Sequence, residues 1–298
     1  MPLKSAFVLR WATAVSMSLG LMSLVLMNLI LLSPALAAAT AAQQEPGTKP
    51  ETQAPAPTQT APTPAAVPRT ATTPSGHPAD AYWTAHDKQL LTDFGWLARY
   101  KDPNAKLPKP APGEKRVVFM GDSITEAWHF DGPDGSFPGK PYINRGISGQ
   151  TSPQMLVRFR QDVVDLQPQV VVILAGTNDV AGNTGPMTIE QTEENISDMA
   201  EIANSNDIWV VLCSVLPAYD FPWQPGMEPA PKINAINAWI KSYAAAKGYG
   251  YVDYHSAMKD ARDGLPSNLS RDGVHPNLAG YAIMAPLVET GIATALAK

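Results

Sequence analysis

A single cysteine, Cys213, occurs in the sequence, which excludes an intramolecular disulfide and any metal site built from several cysteines. The segment around it, WVVLCSVLP, is apolar on both sides. The thiol can be read as a small buried hydrophobic group or as a reactive group, and the apolar surroundings favour the first.

Positive charge is also scarce, and the motifs of several common enzyme classes are missing. The 298 residues carry 22 Lys and Arg against 27 Asp and Glu, a formal net charge of −5. A nucleic-acid-binding surface needs a basic excess, so we expect no nucleic-acid partner. The zinc motif HExxH, the phosphate-binding GxxxxGK[ST] loop and the GxSxG nucleophile turn do not occur. The sequence implies no metal and no cofactor.

A long hydrophobic run occurs near the amino terminus. Two basic residues precede an apolar run, Trp11 to Leu32, which is followed by SPALAAAT. This order is typical of a signal peptide, predicted over residues 1–38 with a mature amino terminus near Ala38 or Ala39. The run is also long enough to span a bilayer, so an uncleaved anchor that tethers the protein to a membrane is the alternative. In both cases we expect an exported protein, periplasmic or secreted.

Proline is abundant, and nine of the 29 prolines fall between Pro46 and Pro78. The stretch consists mainly of Ala, Thr, Pro and Gln, as in ETQAPAPTQTAPTPAAVP. It has almost no large apolar side chains to offset the entropy of ordering. We therefore predict a disordered, semi-rigid linker over residues 39–78 and a single domain over residues 79–298.

Short apolar runs alternate with helical patterns through most of this domain. The runs are RVVFM (116–120), YIN (142–144), QVVVILAG (169–176), IWVVLCSVL (208–216) and YGYVDY (249–254). An apolar stripe from Leu90 to Tyr100 predicts one amino-terminal helix, and a Thr188/Gln191 capping box predicts the start of a later one. Strands separated by helices indicate a parallel sheet covered on both faces. The prediction is an α/β fold, a three-layer α/β/α sandwich of about five parallel strands.

Polar residues and glycines suited to catalysis follow the ends of these predicted strands. Ser123 follows the first in GDSIT, Gly149 the second in RGISGQT, and Asn178 the third in GTND. Asp272 and His275 lie beyond the fifth, in SRDGVHPN. Because ligands bind beyond the carboxyl ends of parallel strands, we expect these residues at one edge.

This set matches what a serine nucleophile requires, namely a base, a group that orients the base, and donors for an oxyanion. Ser123 is the predicted nucleophile, His275 its base, and Asp272, three residues earlier, the orienting carboxylate. The predicted oxyanion donors are the backbone N–H groups of Ser123 and Gly149 and the side-chain amide of Asn178.

Simpler structural roles remain open for single residues. Ser123 and Asp272 could be helix caps, and Asn178 could be a turn residue. Each role explains one residue but not the whole set.

Neighbouring polar residues have their own interpretations. Asp122 and Asp179 are interpreted as structural acceptors for loop backbone. Among the five histidines, His255 is the rival base, because it follows the fifth strand and Asp253 lies beside it.

The four blocks GDSIT, NRGISGQTSPQ, GTND and DGVH, in this order, resemble the SGNH (GDSL) hydrolase family. The resemblance is to its branch of bacterial lysophospholipases, thioesterases, arylesterases and platelet-activating-factor acetylhydrolases, and it covers about Arg116 to Lys298. Ile124 stands where the family name has leucine, which changes no chemical role. The resemblance implies a flavodoxin-like fold with strand order 2-1-3-4-5. It also implies the same catalytic triad and oxyanion hole.

Two tryptophans are candidate substrate contacts. Trp128 follows the nucleophile by five residues, and Trp223 lies in the proline-rich loop 217–231, whose aromatic side chains, including Tyr219 and Phe221, are expected to be exposed. They could form a pocket wall or simply pack on the sheet edge.

The sequence predicts an esterase acting on a small-molecule, glycan or lipid ester. No long apolar insertion beyond loop 217–231 is present to enclose a fatty tail, so a short acyl or acetyl group is expected. One alternative is a lysophospholipase or thioesterase for longer acyl chains. The other is a non-catalytic glycan- or lipid-binding module on the same scaffold.

Overall fold

The computed structural model describes residues 78–298. The predicted leader and linker lie outside the described residues, except for Pro78, where the first helix begins. A parallel sheet of five strands runs through this part of the chain, in the order β2-β1-β3-β4-β5. The strands are β1 (Val117–Gly121), β2 (Tyr142–Gly146), β3 (Val170–Leu174), β4 (Trp209–Cys213) and β5 (Gly250–Val252). The predicted α/β class, the parallel sheet and the implied strand order are confirmed.

Helices connect and cover these strands. They are α1 (Pro78–Thr92), α2 (Ala98–Lys106), α3 (Ser123–Glu126), α4 (Ser152–Asp162), α5 (Thr177–Ala181), α6 (Ile189–Asn204), α7 (Ala230–Lys247), α8 (Tyr254–Met258) and α9 (Leu278–Leu296). The predicted capping box begins α6, since Thr188 Oγ1 accepts the Gln191 N–H and Gln191 Oε1 accepts the Thr188 N–H. Both exchanges satisfy backbone donors that a helix start leaves unpaired.

The strands are buried on both faces, and this produces the three layers. Along β1, Val118 and Met120 join the apolar cluster under α4, α6 and α7, whereas Val117 and Phe119 join the cluster under α9. Successive side chains of a strand point to opposite faces, so a continuous apolar run can serve both layers. The predicted α/β/α sandwich is confirmed.

The carboxyl ends of the central strands lie level with one another. Gly121 at the end of β1 pairs with Gly146 of β2 and Leu174 of β3. The segments that follow these strands therefore emerge side by side at one edge of the sheet, where the candidate functional residues were expected.

The predicted single amino-terminal helix is wrong. The chain leaves the helical path after Thr92, because the Asp93 carboxylate accepts the N–H groups of Leu97 and Ala98 at 2.8 and 3.0 Å and so begins α2 as a separate helix. The predicted apolar stripe is consequently not a buried face, and Leu91 is 89% exposed.

Within residues 78–298, α9 is the one helix long and apolar enough by composition to cross a membrane. Its buried side chains, including Met284, Val288 and Ile292, pack in the cluster that covers one face of the sheet. This packing accounts for its hydropathy.

Candidate active site

Ser123 is the first residue of α3, in a tight turn after β1. Asp122 is the N-cap of α3, and its Oδ1 accepts the N–H two residues later at 2.9 Å. A Cβ on Gly121 would lie 2.1 Å from Thr125 Oγ1 and 3.1 Å from the Leu174 carbonyl oxygen. Only glycine fits this close crossing, which places the Ser123 hydroxyl at the edge of the sheet.

The serine, histidine and aspartate form a continuous hydrogen-bonded chain. Ser123 Oγ lies 2.8 Å from His275 Nε2, although the two residues are 152 positions apart. His275 Nδ1 lies 2.7 Å from Asp272 Oδ2. Asp272 and His275 belong to the turn that leads into α9. A serine with a base on one side, and a carboxylate behind that base, is the arrangement of an activated nucleophile.

Asp272 is held in its ionised form by the same turn. Burial by itself would raise the pKa of its carboxyl group. Hydrogen bonds from the backbone and ring of His275 and from the Val274 N–H outweigh that cost and bring the pKa to about 2. Asp272 therefore both shapes the turn and faces the imidazole, so its turn-forming role and its orienting role coexist.

Two backbone N–H groups, those of Ser123 and Gly149, follow the carboxyl ends of β1 and β2. The Ser123 N–H is an unpaired donor at the start of α3, and Gly149 has a φ of 78°, a conformation that favours glycine. Among the described residues, neither N–H donates to a protein acceptor. Both are therefore available to a ligand oxygen.

The Asn178 side chain is buried beside them and firmly held. It lies in the first turn of α5 and is 3% exposed. Its Nδ2 donates to the Gln150 carbonyl at 2.9 Å and to Asp122 Oδ2 at 3.2 Å. Of these two bonds, the one to Asp122 is the longer.

Asn183 is a site residue that was not predicted from the sequence. Its Nδ2 donates to Asn178 Oδ1 at 2.8 Å and to the Gly149 carbonyl at 3.2 Å. Its Oδ1 accepts the indole N–H of Trp223 at 3.2 Å. One amide thus holds two predicted oxyanion donors and a nearby tryptophan. The sequence offers no motif for it beyond an asparagine after the turn glycine Gly182.

Two buried carboxylates support these loops. Asp179 accepts the N–H of Ser152 at 3.0 Å and also its hydroxyl, which ties α5 to the start of α4. Burial raises the pKa of Asp122 and of Asp179 to about 6, against the effect of the hydrogen bonds that each accepts. Both carboxylates accept backbone N–H groups, the contacts that a structural role requires.

Arg158 of α4 joins the ends of β1 and β2 from inside the core. The side chain is fully buried, and its guanidinium donates to the carbonyls of Gly121 at 3.0 Å and Arg145 at 2.8 Å. It also donates to Gln150 Oε1 at 2.6 Å and forms an ion pair with Asp162 at 3.1 Å. The strand end before the nucleophile and the loop that carries Gly149 are therefore attached to one cation.

The comparison with known families agrees with this geometry. A model of the GDSL-like lipase/acylhydrolase family matches residues 119–283, more than half of the chain. The chain belongs to this family. It is a GDSL-type carboxylic ester hydrolase, and its relatives include proteins named as esterases.

Individual relatives are similar over different lengths. A solved GDSL-like lipase of Bacteroides thetaiotaomicron is 47% identical, with a TM-score of 0.65, over 68% of this chain and 100% of that one. An acetylxylan esterase of Geobacillus stearothermophilus is 25% identical over 59% of this chain and 93% of its own length. An acetylxylan esterase of Xylanibacter ruminicola is 26% identical over 70% of this chain. Of that last protein the match spans 48%, about half its length.

The two candidate tryptophans of this GDSL-type hydrolase differ in placement. Trp128 is 3% exposed, stacks on Tyr281 at 5.2 Å and donates its indole N–H to Ser136, so it is mainly a core residue at the back of a cavity. Trp223 is half-buried, and its ring centroid lies 6.0 Å from that of His275. Trp223 therefore lies beside the serine-histidine pair.

The expected exposure of the 217–231 loop is wrong for Phe221, which is fully buried. The Asp220 carboxylate accepts the N–H groups of Phe221, Gly226 and Met227, and this folds the loop back on itself. Phe221 then stacks beneath Trp223 at 5.2 Å. Tyr219 remains 53% exposed, as expected.

The rival histidine lies elsewhere in the GDSL fold. His255 is 5% exposed, burial lowers its pKa, and its Nε2 has no hydrogen-bond partner among residues 78–298. The structure brings His275, not His255, to Ser123. The same described residues contain no group of three or more His, Cys, Asp or Glu side chains placed to hold a metal ion.

Proposed function

We propose that the chain is an exported serine esterase that cleaves carboxylic esters with short acyl groups, in particular acetyl esters. The observation that carries this proposal is the hydrogen-bonded chain from Ser123 through His275 to Asp272, with distances of 2.8 and 2.7 Å. A helix cap or a turn residue would need none of these contacts.

Acylation begins when His275 Nε2 takes the proton of the Ser123 hydroxyl while Oγ attacks the ester carbonyl carbon. The carbonyl oxygen becomes an oxyanion and accepts the N–H groups of Ser123 and Gly149. The Asn178 amide contributes the third donor by exchanging its 3.2 Å bond to Asp122 for one to the oxyanion.

The imidazolium of His275 then gives its proton to the departing alcohol. Asp272, whose pKa is about 2, stays ionised and stabilises the imidazolium throughout. Water attacks the acyl-serine by the same steps in reverse, with His275 as base, and releases the carboxylic acid.

The preference for a short acyl group is supported by the side chains around Trp223, which form one wall of the site. Trp223 stacks on the fully buried Phe221 and donates to Asn183, which in turn is bonded to Gly149 and Asn178. Each hydrogen bond makes the wall costlier to displace, so a long acyl chain has no easy path beside the oxyanion donors. The names of the two acetylxylan esterase relatives support an acetyl group as well.

The test is a p-nitrophenyl ester series from acetyl to decanoyl, with Ser123→Ala as the matched control. We expect kcat/KM to be highest for acetyl or butyryl, and Ser123→Ala to lose about 10⁴-fold or more. A maximum at decanoyl would support the lysophospholipase or thioesterase alternative. Equal background rates for both proteins on every ester would support a non-catalytic binding module.

Export is the part of the proposal that depends on the amino-terminal segment. The apolar run and the SPALAAAT sequence support processing near Ala38 or Ala39. Terminal sequencing of protein purified from its native cells should find that amino terminus outside the cytoplasm. An intact Met1 in the membrane fraction would instead indicate the uncleaved anchor.

A further inference from the structure

A cavity of about 730 Å³ lies beside His275, between the segment that follows α3 and the start of α9. Its lining includes His275 and Asp272, but not Gly149, Asn178 or Trp223. We propose that this cavity is the subsite for the alcohol part of the ester, and that the alcohol is a sugar ring. This inference rests on the proposed esterase function.

The position of His275 determines which part of the substrate the cavity receives. His275 Nε2 faces Ser123 Oγ, and the same imidazole borders the cavity. A histidine base must later protonate the leaving oxygen, so that oxygen has to lie within hydrogen-bond reach of Nε2. The alcohol part attached to this oxygen therefore extends on the His275 side.

The other substituents of the ester carbonyl point elsewhere. The carbonyl oxygen is directed to the backbone donors at Ser123 and Gly149, which follow β1 and β2. The acyl group meets the ring of Trp223, whose indole N–H is held by Asn183 Oδ1 at 3.2 Å. The cavity is far larger than an acetyl group needs and falls within the range of small-molecule sites, about 300–1,000 Å³. It is the space left for the alcohol.

One wall of the cavity is apolar. Leu278, Ala282 and Ala285 line it from one face of α9, at the i, i+4 and i+7 positions. Leu278 is 63% exposed, so its side chain is accessible to a ligand in the cavity. These side chains can cover the C–H face of a sugar ring.

The cavity is also lined by two charged side chains of opposite sign. Asp134 and Arg271 are exposed, and among the described residues neither forms an ion pair or a side-chain hydrogen bond. Free acceptor and donor groups of opposite sign suit the hydroxyls of a neutral polyol. A fatty chain would desolvate both charges without compensation, whereas the hydroxyls of a sugar can accept from Arg271 and donate to Asp134. This combination favours a sugar over a lipid alcohol.

The test compares two acetyl esters, ethyl acetate and a peracetylated xyloside, in wild type and in Ala282→Trp. Ala282 is exposed on α9, so the indole can project into the cavity without disturbing the core. We expect the ratio of kcat/KM for the sugar ester to kcat/KM for ethyl acetate to fall about tenfold or more. Ala285→Phe provides a second filling variant if Ala282→Trp does not fold. Ala238→Trp, on an exposed position of α7 outside the cavity, is the matched control and should leave the ratio at the wild-type value.

The outcomes separate this inference from the proposed function. An unchanged ratio in a folded, active Ala282→Trp overturns the alcohol subsite while the esterase remains. A change in acetyl-to-butyryl preference instead of the alcohol ratio would assign the cavity to the acyl group, and also overturns it. Arg271→Ala should raise KM for the sugar ester severalfold. If Arg271→Ala instead lowered kcat/KM only for an acetyl ester of glycerophosphate and left the sugar ester unchanged, the alcohol would be anionic and the sugar assignment would be overturned. Inactivity of wild type on every ester would contradict the proposed function itself.

Discussion

Replacing Asn183 by alanine is expected to impair the oxyanion hole while leaving the serine-histidine pair in place. The substitution removes the donor that holds Asn178 Oδ1 at 2.8 Å and the Gly149 carbonyl at 3.2 Å. It also removes the acceptor of the Trp223 indole N–H. None of these groups belongs to the hydrogen-bonded chain of Ser123, so the nucleophile keeps its base.

The size of the effect follows from what Asn183 touches. Asn178 is 3% exposed, so its Oδ1 loses its partner in a place where water has little access. An unsatisfied buried acceptor costs about 1–3 kcal/mol, which we expect to appear as a lower free energy of unfolding. Complete loss of an oxyanion donor typically costs about 10²–10³ in kcat. Because Asn183 orients the donors and does not itself reach the substrate, we expect a loss of about 10- to 100-fold in kcat with little change in KM.

The assay combines steady-state kinetics on p-nitrophenyl acetate, thermal melting, and inhibition by a boronic acid that mimics the tetrahedral state. Boronic acid affinity should fall in parallel with kcat, because both depend on the same donors. Asn183→Asp keeps an acceptor for Trp223 but removes the donor, so it should be at least as impaired as Asn183→Ala. Asn206→Ala, an exposed amide whose partner is the Ile202 carbonyl, is the control and should match wild type. Wild-type kcat and boronic acid affinity in a folded Asn183→Ala enzyme would refute this reasoning.

Four further predictions concern the triad, the oxyanion hole, the core and acid stability. His275→Ala should abolish esterase turnover whereas a folded His255→Ala should keep it, and the reverse order in the p-nitrophenyl acetate assay would contradict the predicted triad. Asn178→Ala should lower kcat by about 10²–10³ with KM nearly constant, and a parallel loss of melting temperature without that split would indicate a turn residue. Arg158→Met should lower the free energy of unfolding, measured in urea, by about 3–5 kcal/mol, because it leaves the fully buried Asp162 carboxylate without its cation. A change of under about 1 kcal/mol would contradict the ion pair. The pKa of Asp272 is lowered from 3.8 to about 2, so its ionisation stabilises the fold above about pH 4, and this contribution is lost as the pH falls toward 2. Asp272→Asn should therefore flatten the dependence of melting temperature on pH between about pH 4 and 2. An unchanged slope would contradict the lowered pKa.

The elements that the sequence determined are those set by local pattern. Apolar runs bounded by helical segments were sufficient to predict five parallel strands and the layers around them, since the alternation of side chains is a property of each strand alone. The capping box at Thr188 and Gln191 was equally local. The turn from Asp272 to His275 could be anticipated because both residues lie within one turn of chain.

Predictions from local sequence pattern were wrong at two places. In one, a side chain competed with backbone carbonyls for N–H groups, and in the other a loop folded back on itself. The apolar spacing from Leu90 to Tyr100 was compatible with one helix, but the Asp93 carboxylate offered two backbone N–H groups a different acceptor. Phe221 looked exposed because its loop is long and rich in proline. Three N–H contacts around Asp220 turned it inward, and composition does not encode such contacts.

The candidate site depends on both local sequence pattern and tertiary structure. Its predicted members could be named from the sequence because each follows a strand end, and parallel strands bring their ends to one edge. His275 and His255 both follow β5, so their position after a strand does not distinguish them. The 2.8 Å distance from Ser123 to His275 depends on the path of the chain through α8 and the turn before α9. That path is a property of the assembled fold.

The sequence by itself determined the fold class, the family and the residues able to act as nucleophile, base and donors, because these depend on residue type and on order along the chain. The tertiary structure alone decided which groups hold them. Asn183 and Arg158 carry no motif, and their partners at Gly149 and Gly121 lie 34 and 37 residues away. Hydrogen bonds across such separations form only when packed strands and helices bring the groups together. The position of the cavity beside His275 has the same origin.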